Sequence, residues 1–281
     1  MENIKKSNLY KIGSALEVNR VGYGAMQLTG QGVWGDPEDR EGAKLVLKAA
    51  VENGINFIDT ANAYGPNTNE VLIQEALFPY SKKLVIATKG GLVRTGPSEW
   101  KVNGNPKYIK ECIDGSLQRL KVERIDLWQL HRIDPSVPIA ETLGPVADAV
   151  KAGKINLVGL SEVGIEQIQE AEKTIPIVSV QNMYNLSERK WDAVVDYTNQ
   201  KNIAFIPWYP LASGPHKMES KIKTMAAKHN ATTAQIALAW LLHRSPNILL
   251  IPGTKSITHL KENIAAGNIS LSKEEFNELA Q

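Results

Sequence analysis

Leu84-Val85-Ile86-Ala87-Thr88-Lys89 is the stretch from which the fold of this chain is read. An unbroken apolar run rich in β-branched residues reads as a strand covered on both faces, the habit of parallel sheets flanked by helices. Its charge stands at the carboxyl end, on Lys89. Two other runs are built the same way: Asn56-Phe57-Ile58-Asp59 ends on Asp59, and Ile125-Asp126-Leu127-Trp128-Gln129-Leu130-His131 ends on His131. Ala63-Tyr64-Gly65 follows Asp59 closely and offers Tyr64. The carboxyl ends of parallel barrel strands open onto one mouth, where such enzymes do their chemistry. Asp59, Tyr64, Lys89 and His131 are therefore predicted to converge there.

Outward from these runs, short apolar stretches alternate with longer amphipathic ones. The strand candidates are Val21–Gly24, Asn56–Thr60, Leu84–Lys89, Ile125–Leu130, Ile155–Leu160, Ile177–Gln181, Ile203–Trp208 and Ile248–Pro252. Eight is the number that closes a barrel. Helices are predicted at Arg40–Asn53, Pro106–Leu120, Ile139–Ala152 and Gly164–Lys173. Asn53-Gly54 and Ala152-Gly153 supply C-cap glycines, Pro106 and Pro138 suit a helix start, and Ser256 suits an N-cap. The expected fold is α/β: one (β/α)8 TIM barrel domain over residues 1–281, with a C-terminal helical tail. A short hairpin at Leu9–Val18 would plug its amino end, and Gly90–Asn105 would form a long loop on the catalytic face. A doubly wound open sheet fits less well. Gly22-Tyr23-Gly24 is half of a dinucleotide fingerprint, and Gln27 occupies the place of its last glycine.

The 281 residues carry 32 Lys+Arg against 30 Asp+Glu, so no global field draws nucleic acid or an acidic membrane surface. Cys112 is the only cysteine, which excludes an intrachain disulfide and fits a reducing cytosol. Its helical setting reads as core. Neither a signal-peptide pattern nor a membrane-length apolar run is present, so a cytoplasmic protein is expected. No metal is expected either. H-E-x-x-H, paired cysteines and G-x-S-x-G are missing, and His216, His229, His243 and His259 lack ligand spacing. Glu274-Glu275 reads as a solvated face of the tail helix.

Taken singly, Asp59 reads as a turn cap, Tyr64 as a rim aromatic, Lys89 as a solvated strand end and His131 as a satisfied core histidine. Taken together they make a proton donor with a tuning partner, as carbonyl reduction requires. Tyrosine ordinarily titrates near ~10, and a neighbouring ammonium would stabilise its phenolate.

The chain resembles the aldo-keto reductase superfamily over essentially its whole length. The resemblance lies in Phe57-Ile58-Asp59-Thr60-Ala61 with Ala63-Tyr64-Gly65, Ala87-Thr88-Lys89, Leu130-His131, Gly159-Leu160-Ser161, Val180-Gln181-Asn182 and Ile251-Pro252-Gly253, all in order. Gly24-Ala25-Met26-Gln27-Leu28-Thr29-Gly30, Gln129-Leu130-His131-Arg132-Ile133-Asp134 and Ile206-Pro207-Trp208 resemble its bacterial pyridoxal reductase-like branch. The resemblance implies NADPH as cofactor and an aldehyde or ketone as substrate, pyridoxal or another compact aromatic aldehyde being the expectation. Tyr64 would be the general acid, Lys89 its tuning partner, Asp59 the partner of Lys89, and His131 the residue orienting the carbonyl.

By the same resemblance Trp208 would stack on the nicotinamide while Ser161 and Gln181 hold its carboxamide. Gly253, Thr254, Lys255 and Ser256 would meet phosphate at the start of the last barrel helix, with Asn263 near the adenine. Trp34 and Trp100 would clasp a flat substrate ring. Two residues depart from the pattern. Glu162 stands where an asparagine usually follows the serine, and a carboxylate cannot donate to an amide oxygen. His259 replaces an arginine better suited to phosphate. These departures leave room for a nicotinamide-binding redox sensor or regulatory subunit on the same fold. A barrel hydrolase or lyase using Asp59 and His131 is a third reading. A monomer or weak homo-oligomer is expected.

Overall fold

The computed structural model describes residues 9–211 and 219–280. It opens with an antiparallel hairpin, β1 (Leu9–Ile12) and β2 (Leu16–Asn19). The remaining elements alternate: β3 (Tyr23–Gly24), α1 (Arg40–Glu52), β4 (Phe57–Asp59), α2 (Thr68–Leu77) and β5 (Val85–Gly90). A second hairpin, β6 (Leu92–Gly96) and β7 (Glu99–Val102), precedes α3 (Pro106–Leu120) and β8 (Ile125–Leu130). Then come α4 (Ile139–Lys151), β9 (Ile155–Ser161), α5 (Ile165–Glu172), β10 (Ser179–Gln181), α6 (Asp192–Gln200) and β11 (Ala204–Phe205). Helices α7 (Glu219–Lys228), α8 (Thr233–Arg244), α9 (Ile257–Ala265) and α10 (Lys273–Ala280) complete the chain.

Seven parallel strands lie in the order β11-β10-β9-β8-β5-β4-β3. The expected eighth, 248–252, is not a regular strand. It joins the sheet through single parallel bridges, Phe205 with Ile248 on one side and Val21 with Leu250 on the other. Leu249 N donates to Phe205 O at 2.9 Å and Gly22 N to Leu250 O at 2.8 Å. Both edges of the sheet therefore meet on one segment, and the barrel closes. The Ile203–Trp208 run likewise outlasts its short regular strand: Ile206 N donates to Val180 O at 2.8 Å and Trp208 N to Asn182 O at 3.1 Å.

Side chains alternate along each strand between two apolar layers. Phe57, Val85, Ala87, Leu127, Ala204, Ile206, Leu249 and Ile251 point into the barrel, whereas Ile58, Ile86, Trp128, Phe205 and Leu250 pack under the helices. Ile12 and Val18 of the first hairpin join the interior layer, fully buried, and so plug the amino end. The inward parity of Phe57, Val85 and Leu127, continued to the carboxyl ends, selects Asp59, Lys89, Gln129 and His131.

Helix ends follow the sequence signals. Gly54 and Gly153 take φ of +92° and +75° beyond α1 and α4, a region glycine enters without steric cost. Pro106 opens α3, and Ser256 Oγ accepts from His259 N at the start of α9. Cys112 is buried in α3. Two expectations are corrected. Gly90–Asn105 is mostly the β6–β7 hairpin, because Arg94 gathers carbonyls from both its strands and from neighbouring loops. Glu275 is buried, since Ser272 and Glu275 form a reciprocal cap at the start of α10. Its carboxylate also meets Lys228 Nζ at 2.7 Å and His229 Nε2 at 3.1 Å. His216 lies outside the described residues. Among those residues no helix is long and apolar enough to cross a membrane.

Candidate active site

Asp59, Lys89 and His131 meet at the carboxyl end of the barrel, and the turn after β4 brings Tyr64 to them. Lys89 is fully buried, and its Nζ donates to Asp59 Oδ2 at 2.5 Å, Thr60 O at 2.9 Å and Tyr64 Oη at 3.1 Å. An ammonium has three protons to donate, and these acceptors use all of them. Asp59 Oδ1 accepts from Gln181 Nε2 at 2.8 Å and Gln129 Nε2 at 3.2 Å. The Tyr64 ring stands edge-on to His131, their centroids 5.9 Å apart.

Alternation also secures the site from behind. Thr60 and Thr88, one position away from Asp59 and Lys89, have the opposite parity and reach α2. Thr60 Oγ1 donates to Asn69 Oδ1 at 2.7 Å, and Thr88 Oγ1 to Glu70 Oε1 at 2.6 Å. Arg119 of α3 pairs with the other oxygen of the buried Glu70 at 2.7 Å. The two strand ends that carry the tetrad are thus tied to the helices outside them.

Burial and charge set the protonation states. Burial works against the charge on Lys89, but the Asp59 carboxylate and the Tyr64 oxygen outweigh it and raise the pKa above 10.5. Burial pushes Tyr64 above 10.0, and the Lys89 ammonium draws it back only in part. The sequence predicts the pull of Lys89; the larger opposing effect of burial is a property of the fold. Burial, with Lys89, Arg132 and Arg94 nearby, holds His131 well below 6.5. At neutral pH the site therefore holds a cationic lysine, a neutral protonated tyrosine and a neutral imidazole.

The tetrad faces a cavity of about 880 Å³. Asp59, Tyr64 and His131 form its floor, and Leu92, Trp100 and Val102 of the β6–β7 hairpin one wall. Ser161, Gln181, Trp208 and Gly253 also line it. Residues 20–281 match the sequence model of the Aldo/keto reductase family. The chain belongs to this family.

A Schizosaccharomyces pombe oxidoreductase described as uncharacterised is 52% identical over 270 residues, covering 96% of this chain and 88% of that protein. Escherichia coli pyridoxine 4-dehydrogenase is 41% identical over 279 residues, covering 97% of each. An aldo-keto reductase from Klebsiella pneumoniae, solved with NADPH, superposes with a TM-score of 0.82 at 26% identity, covering 97% of this chain and 93% of that one.

In this aldo/keto reductase the residues predicted around the cofactor fall into two groups. Ser161, Gln181, Trp208 and Gly253 face the cavity. Thr254, Lys255, Ser256 and Asn263 lie beyond its lining, at the start of α9 and within it. Thr254 is buried, its carbonyl accepting from Tyr23 Oη at 2.6 Å. Among the described residues Lys255 Nζ contacts only Thr29 O, at 3.5 Å. Asn263 is buried, and its Nδ2 has no partner among the described residues. Trp100 lines the cavity, whereas Trp34 is absent from the lining and sits near the Arg94 guanidinium, 5.8 Å from its ring.

Glu162 is not idle. At φ +56°, its Oε1 accepts from Trp208 Nε1 at 2.8 Å and from Met183 N at 2.5 Å. Non-glycine residues rarely adopt this backbone region, and Val33 and Tyr209 on the cavity wall adopt it too.

Three contributors escaped the sequence reading. Gln129, which braces Asp59, has a signal: it is polar in an apolar strand and two residues before His131, hence on the same face. Arg132, beside His131, also lines the cavity. Arg94 donates to the carbonyls of Glu99, Val33, Ala63, Gly32 and Gly96, and lies 3.7 Å over the Trp100 ring. Nothing in the sequence around Arg94 announces such a set of acceptors.

Proposed function

We propose that this aldo/keto reductase reduces an aldehyde to the alcohol with NADPH, Tyr64 acting as general acid, and that its substrate is pyridoxal or a similarly compact aromatic aldehyde. The observation that carries the reading is the Lys89 ammonium, 3.1 Å from the Tyr64 hydroxyl and 2.5 Å from Asp59, buried beneath the floor of a mostly apolar cavity. Bound reduced nicotinamide would supply hydride to the carbonyl carbon. Tyr64 would give its proton to the carbonyl oxygen, and the Lys89 charge would stabilise the phenolate left behind. Asp59, braced by Gln129 and Gln181, keeps Lys89 charged and directed at Tyr64. The neutral His131 has one ring proton, which suits it to aim the carbonyl oxygen through a hydrogen bond.

The residues present fit the cofactor. Trp208 and Tyr209 give the cavity aromatic surface for a flat heterocycle. Helix α9 begins with Ser256 as cap, and the ammonium of Lys255 beside it has one long contact among the described residues, an arrangement suited to phosphate. The unpartnered Asn263 Nδ2 is a buried donor in want of an acceptor such as adenine offers. The likeness to pyridoxine 4-dehydrogenase supports the substrate class, and Trp100, held under Arg94, supplies a plane against a ring.

Loss of reduced-nicotinamide absorbance, with pyridoxal and with NADPH and NADH in parallel, tests the reading. Tyr64→Phe should slow turnover by about 10²–10⁴ while NADPH binding survives. Equal rates on pyridoxal and on nitrobenzaldehyde would remove the substrate class. Full activity in Tyr64→Phe would remove the mechanism.

A further inference from the structure

Of the two side chains expected to hold a nicotinamide carboxamide, Ser161 has spent its proton and Gln181 is partly engaged. Ser161 Oγ donates its proton to Gln181 O at 2.8 Å and accepts from Arg132 Nη1 at 3.0 Å. Gln181 Nε2 donates to Asp59 at 2.8 Å, while its Oε1 faces no donor among the described residues. Glu162 accepts and cannot donate. A carboxamide needs acceptors for its nitrogen and a donor for its oxygen. Gln181 Oε1 meets the first need; its Nε2 keeps one N–H beyond the bond to Asp59, but none of these residues brings a charged donor to the second.

Arg132 does. A guanidinium carries five N–H donors and no acceptor. Nη1 is spent on His131 O at 2.6 Å and on Ser161 Oγ, which fixes the plane of the group. Nε and Nη2 make no hydrogen bond among the described residues, and the side chain lines the cavity, its guanidinium carbon 5.8 Å from the Trp208 ring. Trp208 is held in turn by Glu162 through Nε1 at 2.8 Å. Glu162 therefore fixes the indole, and the charge it brings offsets that of Arg132 across the ring.

We propose that Arg132 is the hydrogen-bond donor to the nicotinamide carboxamide oxygen in this chain, Glu162 being spent on positioning Trp208. This rests on the NADPH reading above. It assigns a cofactor contact to a residue that the family resemblance does not supply, and it explains how a carboxylate is tolerated after Ser161.

Calorimetric titration of the purified full chain with three probes tests it: NADP⁺, its thionicotinamide analogue, and 2′-phospho-ADP-ribose, which lacks the nicotinamide. Sulfur is a weaker acceptor than oxygen, so the wild type should bind the thio analogue more weakly than NADP⁺. Arg132→Met should weaken NADP⁺ by about tenfold, the scale of one hydrogen bond to a charged donor. It should affect the thio analogue much less and leave 2′-phospho-ADP-ribose unchanged, which also shows the variant to be folded. Unchanged NADP⁺ binding by the variant would overturn the assignment and leave the NADPH reading standing. Equal losses for NADP⁺ and 2′-phospho-ADP-ribose would overturn it in favour of a general charge effect. A wild type that binds none of the probes would remove both readings.

Discussion

Replacing Lys89 by Met tests whether the tetrad is held together as an ionic unit. Lys89 is fully buried and Asp59 is 2% exposed, so neither charge has water to fall back on. Their contact is 2.5 Å. Breaking a buried pair from one side leaves the other charge uncompensated and costs about 3–5 kcal/mol. In Lys89→Met the Asp59 carboxylate keeps only the Gln129 and Gln181 amides. In Asp59→Asn the ammonium keeps only neutral oxygens, those of Thr60 and Tyr64 among them. Each single variant should therefore lose several kcal/mol. The double variant buries no charge, so its loss should fall short of the sum by roughly 2 kcal/mol, within the usual range for coupled neighbours. Urea midpoints of the wild type, the two singles and the double give the coupling directly. Losses that add to within about 0.5 kcal/mol would refute the reasoning and make the contact incidental.

Other expectations follow from the same geometry. His131 stays neutral in the fold well below 6.5, whereas an unfolded histidine takes up its proton near that value. The unfolded chain then binds more protons as pH falls, so this contribution is complete above about pH 6.5 and is lost below it at up to about 1.4 kcal/mol per pH unit. His131→Gln should flatten the stability profile between about pH 7 and 5.5, and parallel profiles would contradict this. Because burial raises Tyr64 above 10.0, the reduction rate should show no loss of the acid form between about pH 7 and 9; a basic limb abolished by a Tyr64 substitution within that range would count against it. Arg94→Lys cannot reproduce a planar fork over five carbonyls, so the aldehyde KM should rise several-fold with kcat less affected. Equal falls in kcat and kcat/KM with KM unchanged would show instead that Arg94 acts on the reacting groups. Glu162→Ala frees the Trp208 indole from its 2.8 Å acceptor and should shift the tryptophan emission, whereas Glu162→Gln, which keeps a carbonyl acceptor, should not.

The barrel and the tetrad were legible because both depend on local pattern. Continuous branched runs mark buried parallel strands, and a polar residue closing such a run must stand at the mouth. Ile125–Leu130 and Pro106–Leu120 coincide with the observed elements, since apolar periodicity and a first-turn proline define their limits. The eighth strand was legible as a run but not as a bridge-only seam, because its pairing depends on where Phe205 and the far more distant Val21 come to lie. Arg94 and Arg132 escaped because an arginine on a loop ordinarily reads as solvated. Their value lies in backbone carbonyls and ring faces that distant segments bring to them. The direction of the Tyr64 shift escaped for the same reason: a sequence names charged neighbours but does not show how completely they are shut from water.

Ile12 and Val18 seal the end of the barrel opposite the tetrad. No passage leads to the cavity through that plugged end, so a ligand bound over Asp59, Tyr64 and His131 comes and goes by the carboxyl side of the barrel.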